Sequence, residues 1–243
     1  MGKCADSAVN QACVVFLKNR ISKCYYLEKT RVRIDESAIS QADKQALKDN
    51  FLQLIVATPS KNARLHLAVA LNKMIAHDFP DRWPNLLENV QRLLSSSDGR
   101  EMVAGCVALL EMVKSFRYRQ TRADVLTNVI QSTFPTIVEL GLKLTGVAST
   151  GVSGATSAEE LSQEIPYLLH LILKTYKSTL VYRLSEHQQT SGSIVPWGRL
   201  LFAVISFQVP KEILPEDEDE RERSEWWKAK KWAYGTLDRL FHR

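Results

Sequence analysis

Hydrophobic residues recur along most of the chain with the spacing of one face of an α-helix. Leu67, Leu71, Met74 and Ile75 show this clearly, because they lie at positions i, i+4, i+7 and i+8. Strand-like alternation is nearly absent. The pattern predicts an all-α protein of about nine helices. Further apolar stripes or helix-like segments occupy residues 43–57, 86–94, 102–113, 125–144, 161–172, 196–207 and 233–241.

A short apolar pattern repeats in the second helix of neighbouring predicted pairs. A leucine stands four residues before an isoleucine or valine in three copies: Leu17/Ile21, Leu71/Ile75 and Leu109/Val113. The second and third copies are about 40 residues apart, which is the repeat length of HEAT and armadillo hairpins. Each such hairpin cannot bury its own apolar stripe and must stack on its neighbours. We therefore expect a right-handed α-solenoid of about five helical hairpins, with a longer loop at residues 29–40.

The stretch HDFPDRWP places two prolines at the junction of two predicted helices. Pro80 restricts Phe79 to an extended conformation, so it is expected to end the first helix. Pro84 is expected in the first turn of the next helix, where its missing N–H costs nothing, and Asp81 is placed to cap that helix. Phe79 and Trp83 can then pack into the seam between adjacent repeats. The stretch therefore predicts a structural corner.

Two segments interrupt the helical pattern. TGVASTGVSGATS, residues 145–157, predicts a flexible loop within a repeat, since it is rich in Gly, Ser and Thr and lacks the ending of a phosphate-binding loop. PEDEDERERSE, residues 215–225, predicts an acidic loop. This acidic loop is either a solvated turn or a contact for a basic partner, made by Glu216, Asp217, Glu218, Asp219 and Glu220.

The charge balance leaves most of the surface basic. The chain of 243 residues has a formal net charge of +5, although residues 215–225 are strongly acidic. No run of about eighteen uncharged apolar residues and no secretory leader is present, so membrane spanning and export are not expected. Cys4, Cys13, Cys24 and Cys106 lack a C-x-x-C spacing and are expected to be buried, reduced thiols.

Residues that could carry catalysis or bind a metal do not form a recognisable set. His66 and His77 lie about 16 Å apart along one predicted helix, too far to share a metal ion. The motifs H-E-x-x-H and G-x-S-x-G are absent from the sequence. We therefore expect no enzyme activity, no metal site and no cofactor. A solenoid instead offers a long curved surface to a partner.

The second helix of each pair is expected to line the inside of that curve. Polar residues beside the repeated leucines would then face a bound partner: Lys18, Asn19, Asn72, Lys73 and Lys114. Alternatively, each is an ordinary solvated side chain on a helix surface. Periodicity alone does not choose between these two interpretations.

Three motifs give the chain a resemblance to the importin-β superfamily of nuclear transport receptors. VNQACVVFLKNRI resembles the first inner helix of that superfamily, and HDFPDRWPNLL resembles the corner of its larger receptors. WWKAKKWAYGTLDRLF, preceded by an acidic stretch, is similar to the signature of the importin-7/importin-8 subfamily. The resemblance covers nearly the whole chain. It implies N-terminal HEAT repeats at residues 1–115, the first of them incomplete, and further HEAT repeats at residues 116–243.

Members of this family begin with a helix ahead of the first inner helix and continue for many more repeats. This chain starts inside the first repeat and ends near the apolar pair Leu240 and Phe241, so we expect a fragment or a truncated gene model. Two unpaired apolar faces should then be exposed to solvent.

The resemblance implies a receptor that binds the GTP form of the small GTPase Ran, carries cargo through the nuclear pore, and shuttles between cytoplasm and nucleus. The Leu-Lys-Asn match implies Ran contacts at Lys18 and Asn19, and inferred inner-face positions add Lys23, Asn72 and Lys73. Phenylalanine-glycine nucleoporins would bind the outer face. Basic cargo, such as ribosomal proteins or histones, would need an acidic surface like the one expected around Glu216 to Glu220.

A different class of function stays open. The basic balance also suits a HEAT-type nucleic-acid-binding protein or scaffold. That alternative predicts binding to RNA or DNA with steep salt dependence, whereas the receptor interpretation predicts Ran binding that depends on the bound nucleotide. The tryptophans of residues 226–232 are assigned to packing rather than to recognition.

Overall fold

The computed structural model describes residues 7–26, 38–151, 157, 159–181 and 184–242, and within these ranges it contains helices and no β-strand. A π-helical turn at Glu160–Glu164 leads directly into the helix that begins at Ile165. Eleven α-helices lie in the described ranges: α1 (Ser7–Cys24), α2 (Gln41–Val56), α3 (Lys61–Asp78), α4 (Leu86–Leu94), α5 (Gly99–Phe116), α6 (Ala123–Gly151), α7 (Ile165–Thr179), α8 (Glu186–Gln189), α9 (Ser191–Ser206), α10 (Glu218–Arg223) and α11 (Glu225–Phe241).

Several helices start at residues that cap them. A serine Oγ accepts a hydrogen bond from the backbone N–H three residues later at the start of α2, α3 and α11: Ser40, Ser60 and Ser224. At the start of α5, Asp98 accepts from the backbone N–H of Arg100 at 2.8 Å. Because the first N–H groups of a helix have no partner within the helix, each cap stabilises its helix by about 1 kcal/mol.

The long helices stack in two layers. In the first, which we call layer B, α1, α3, α5, α7 and α11 each pack against the next helix in that order. In the second, layer A, α4 packs against α6 and α6 against α9, while α2 packs against α3 and α5. Contacts across the layers join α4 to α5, α6 to α7 and α9 to α11. This order of neighbours confirms the predicted all-α solenoid.

The repeated apolar pattern marks equivalent places in layer B. Helices α1, α3 and α5 each contain 18 residues, and the repeated leucine occupies the same position in each. The Ile or Val that follows is almost completely buried in all three helices: Ile21, Ile75 and Val113. Each such side chain contributes about 1.5–3 kcal/mol by leaving water. The repeat read from the sequence is therefore a structural repeat.

The corner after α3 forms as predicted at Phe79 and Trp83. Helix α3 ends at Asp78, and Phe79 is extended with φ −86° and ψ 140° before Pro80. The side chains of Phe79 and Trp83 are 5% and 3% exposed. The Phe79 ring meets the Phe116 ring of α5 edge to face, with centroids 6.0 Å apart. The corner therefore packs against the next repeat.

The predicted roles of Pro84 and Asp81 at this corner are wrong. Helix α4 begins at Leu86 with Asn85 before it, so Pro84 precedes the helix rather than lying in its first turn. A tight turn in which the Trp83 N–H donates to the Pro80 carbonyl carries the chain past that point. Asp81 does not cap α4 but forms an exposed ion pair with Arg122 at 3.3 Å.

A buried carboxylate lies behind the corner. Asp78, at the end of α3, accepts a hydrogen bond from the Tyr25 hydroxyl at 2.7 Å. Its oxygens also lie 3.4 Å from Lys48 Nζ on α2 and 3.1 Å from Arg82 Nε in the corner. Burial, together with the bond to Asp78, raises the pKa of Tyr25. Asp78 therefore ties α2, α3, the corner and the end of α1 together.

The predicted loop at residues 145–157 is wrong over its first half, because α6 continues to Gly151. Ala148 is completely buried, and the hydroxyls of Thr145 and Ser149 donate to backbone carbonyls of the preceding turn. Packing of this turn overrides the low helix propensity of its Gly, Ser and Thr residues. Residues 152–156 lie outside the described residues, as do most of the predicted loop at 29–40.

Cysteine burial follows the prediction only in part. Cys24 and Cys106 are buried free thiols, whereas Cys13 is exposed and Cys4 lies outside the described residues. Phe16 and Phe241 are also exposed, by 72% and 79%. No helix in the described ranges is long and apolar enough to cross a membrane.

Candidate functional site: the exposed face of layer B

Layer B presents one solvent-facing side that contains the predicted contact residues of α1 and α3. Asn19, Lys23 and Lys73 are exposed, and Lys18 is half-buried. Lys18 and Asn72 directly follow the repeated leucines, so they hold equivalent positions on neighbouring helices. The predicted contact residues thus lie on two helices that pack against each other, while their role in binding Ran stays a prediction.

The side chain of Asn72 forms hydrogen bonds to the neighbouring helix α5. Its side-chain Nδ2 donates to the Glu111 carbonyl at 3.1 Å and to Ser115 Oγ at 2.9 Å, both on α5. Ser115 Oγ in turn donates to the Glu111 carbonyl at 2.8 Å. The Asn72 amide therefore links α3 to α5, which leaves fewer of its hydrogen bonds for a partner.

Lys114 on α5 is neutralised by a close neighbour. Its Nζ lies 2.6 Å from Glu111 Oε1, and the Glu111 carboxylate is almost fully buried. A buried carboxylate needs such a partner, because an unpaired charge away from water is costly. The Lys114 ammonium group is therefore paired with Glu111 and is less available to a binding partner.

A cluster that the sequence did not predict surrounds Glu225 at the start of α11. Glu225 Oε1 lies 3.4 Å from Lys61 Nζ and 3.1 Å from Lys228 Nζ, and Oε2 lies 3.3 Å from His170 Nδ1. Burial alone would raise the pKa of this carboxyl, but the bonds from His170 and Lys228 and the charge of Lys61 lower it to about 2. Glu225 is therefore an ionised, paired anchor.

The Glu225 cluster also joins helices that are not adjacent in layer B. Lys61 lies at the start of α3 and Glu225 at the start of α11, although α5 and α7 stand between these helices in layer B. Lys61 Nζ lies 4.8 Å from the ring centroid of Tyr167 on α7, and the Arg64 guanidinium lies 5.7 Å from the same ring. Side chains of α3, α7 and α11 thus meet on this side of layer B, which we call the concave face.

A second unpredicted group surrounds Trp232 on α11. The imidazole of His170 stacks on the indole with centroids 6.2 Å apart and a 17° angle between the ring planes. Lys174 Nζ and Lys177 Nζ lie 5.5 Å and 5.2 Å from the Trp232 ring centroid. The ring face is electron-rich and attracts these cations. The Trp232 ring therefore contacts the ammonium groups of both lysines on the concave face.

The sequence did contain a signal for this face. Tyr167, His170, Lys174 and Lys177 are polar or aromatic, recur with helical spacing, and are half-buried on a helix whose other residues are mostly buried. Their common side of α7 was recognisable, but their partners on α3 and α11 were not.

The tryptophans of α11 have different surroundings. Trp226 is 3% exposed and stacks on Phe207 with ring centroids 4.4 Å apart, so it packs in the core as predicted. Trp227 is half exposed to solvent. The prediction that all three serve packing therefore holds for Trp226.

The predicted acidic loop is partly helical. Residues 218–223 form α10, whose first turn is capped by Asp217 through the Glu220 N–H at 3.1 Å. Arg221 folds back to donate to the Glu216 carbonyl at 3.0 Å. The acidic side chains of this segment face solvent: Glu216, Asp217, Glu218, Asp219 and Glu220. Both interpretations, a solvated turn and a contact for a basic partner, fit this exposure.

No group of three or more His, Cys, Asp or Glu that could hold a metal ion occurs in the part of the chain that the structure describes.

The predicted corner residues and the predicted contact residues lie in different places. Phe79, Pro80 and Trp83 are at the junction of α3 and α4, whereas the contact residues follow the solvent side of layer B.

Comparison with known proteins gives the following relatives. No protein-family model matches the chain. Importin-8 of Homo sapiens is 27% identical over 239 residues, which covers 97% of this chain and 22% of that protein. The importin beta-like SAD2 homolog of Arabidopsis thaliana is 27% identical over 242 residues, covering 98% and 22%. The chain thus spans about a fifth of the length of these relatives.

A solved structure, described as the exportin Cse1 in its cargo-free, cytoplasmic state, matches the fold. It superposes with a TM-score of 0.79 and 17% sequence identity, covering 97% of this chain and 24% of that one. At this identity the match speaks for the fold alone. It agrees with the two-layer stack of α1 to α11.

Proposed function

Because the chain is homologous over nearly its whole length to importin-8 and other members of the importin-β superfamily, we propose that it works as part of a nuclear transport receptor. Such a receptor carries protein cargo through the nuclear pore and shuttles between cytoplasm and nucleus. The proposal rests on one observation above all. The alignment with importin-8 covers 97% of the chain, so the similarity is not limited to a single motif.

Ran in its GTP form is the proposed regulatory partner, and the exposed side of α1 and α3 is its proposed contact surface. The support is that Asn19, Lys23 and Lys73 are exposed and Lys18 is half-buried on two neighbouring helices with the same repeat register. Asn72 is a weaker candidate since its amide already bonds to α5. Release of cargo would follow from linkage, because Ran and cargo would favour different states of one solenoid.

Cargo and nucleoporins complete the proposal. The exposed carboxylates from Glu216 to Glu220 suit a basic cargo, such as a ribosomal protein or a histone. Phenylalanine-glycine nucleoporins would contact the outer helices of layer A. The nucleic-acid or scaffold alternative is not favoured, because the relatives include importins and exportins.

A capture experiment tests the Ran contact. Immobilised Ran loaded with a non-hydrolysable GTP analogue should retain the chain, and Ran loaded with GDP should retain much less. Lys18→Glu should weaken capture by about tenfold, because it reverses a charge on the proposed surface. The matched control is Lys143→Glu, an exposed lysine on α6 in layer A, with circular dichroism to confirm equal helicity. Equal capture of both nucleotide states would remove the Ran proposal.

A further inference from the structure

Two lysines on the concave face share one aromatic ring. Lys174 and Lys177 lie one turn apart on α7, and their ammonium groups stand 5.5 Å and 5.2 Å from the centroid of Trp232. Both lysines are half-buried. Gly235, one turn after Trp232 on α11, leaves room for Lys177, since a Cβ there would collide with its Nζ. The two helices thus hold both cations over one indole.

Neither ammonium group is paired with a carboxylate. Within the described residues, the side chains of Lys174 and Lys177 form no ion pair and no hydrogen bond. The nearby carboxylates are occupied, since Glu111 pairs with Lys114 and Glu225 is shared among other cations. Burial, and then the charge of Lys114, lowers the pKa of Lys174. Burying the Lys174 ammonium group without an ion pair therefore costs folding stability, and its contact with Trp232 offsets part of that cost.

We propose that Lys174, Lys177 and Trp232 form a binding site for an acidic segment of a protein partner. The two ammonium groups would pair with side-chain carboxylates, and the rim of the indole would support the apolar atoms between them. The concave face removes some water from these pairs, which strengthens them. This site is separate from the α1 and α3 surface and does not depend on the proposed receptor function.

A short acidic peptide fits this site better than a nucleic acid. Glu225 bonds to His170, which stacks on Trp232, and Glu111 lies close enough to Lys174 to affect its ionisation. These two carboxylates interrupt the positive charge on both sides of the site. A phosphate backbone needs a continuous basic track, whereas a segment with two or three acidic side chains does not.

Fluorescence anisotropy with the 243-residue chain tests the site. The probe is a labelled peptide of alternating Glu and Asp, and the wild-type chain should bind it in a salt-sensitive manner. Lys174→Met and Lys177→Met each keep side-chain volume and remove one charge, and each should weaken binding by about tenfold. The matched control is Lys231→Met on the same helix as Trp232, where the lysine is exposed and should not contribute.

Thermal unfolding of the same variants separates recognition from a structural role. Lys174→Met should unfold at the same temperature as wild type or higher, because it removes a half-buried, unbalanced charge. Lower unfolding temperatures for both Lys174→Met and Lys177→Met would make these lysines structural and overturn the proposal. The proposal is also overturned if the acidic peptide does not bind, or if Lys231→Met weakens binding as much as the other two variants. It is overturned as well if a single-stranded oligonucleotide binds more tightly through the same two lysines.

Discussion

Asp78 is a buried carboxylate and Glu225 a half-buried one, and each is held by several donors, but they connect different parts of the molecule. The partners of Asp78 come from adjacent parts of the N-terminal repeats, namely the end of α1, helix α2 and the corner. Glu225 reaches across layer B to Lys61 on α3 as well as to its own neighbourhood. Asp78 therefore fixes the packing of neighbouring helices, while Glu225 helps to fix the curvature of the whole face.

Removal of Asp78 is expected to have the largest effect. Asp78→Ala leaves the Tyr25 hydroxyl and the cations Lys48 and Arg82 without their shared acceptor, and should lower the free energy of unfolding by about 3–5 kcal/mol. Urea denaturation measures it. The control is Asp81→Ala, whose exposed ion pair should contribute at most about 1 kcal/mol. Equal losses in the two variants would refute the anchoring role.

Neutralising Glu225 is expected to cost less, because its side chain keeps some solvent contact. Glu225→Gln should lower the free energy of unfolding by about 1–3 kcal/mol, while Glu222→Gln on exposed α10 should change it little. Lys61→Met should then have a smaller effect in the Glu225→Gln background than in wild type. If the losses caused by Lys61→Met and Glu225→Gln are strictly additive, the contact between Lys61 on α3 and Glu225 on α11 does not contribute to stability.

The pH dependence of stability sharpens the role of Glu225. Its pKa falls from an ordinary 4.5 to about 2 in the fold, so the carboxylate faced by Lys61, His170 and Lys228 stabilises the folded state fully above about pH 4.5. That contribution is lost as the pH falls toward 2. The difference in unfolding free energy between wild type and Glu225→Gln should shrink over that window. A difference that persists unchanged at pH 2 would contradict this assignment.

Removal of the Asn72 side-chain amide is expected to cause the smallest loss in the free energy of unfolding. Asn72→Ala removes the hydrogen bonds from α3 to Glu111 and Ser115 on α5, and should cost about 1–2 kcal/mol in urea denaturation. Asn19→Ala on α1 is the matched control, because Asn19 is exposed and sits next to the equivalent position. If both variants behave alike, Asn72 does not link the two helices.

The fold was predictable from the sequence because its signals lie within single helices. Leu71 and Ile75 report a buried stripe by their spacing alone, and the same stripe in α1 and α5 reveals the repeat. Pro80 likewise ends α3 by a local restriction. The end of α6 was missed, since packing around Ala148 extends a helix that local propensity would stop.

The site was less predictable because its contacts are distant in sequence. Glu225 and Lys61 are 164 residues apart, and Tyr25 and Asp78 are 53 apart. No periodicity within one helix reports such a pairing. The equivalence of Lys18 and Asn72 could be inferred, because each directly follows the repeated leucine. The cluster around Glu225 could not be inferred, because it depends on contacts between α3, α7 and α11.

Hydrogen–deuterium exchange of the chain, alone and with Ran bound to a GTP analogue, tests most directly that the solvent side of layer B is the contact surface. We expect slower exchange in α1 and α3 when Ran is present, and unchanged exchange in α4, α6 and α9. Protection confined to the layer A helices, or no protection at a Ran concentration that saturates capture, would contradict it.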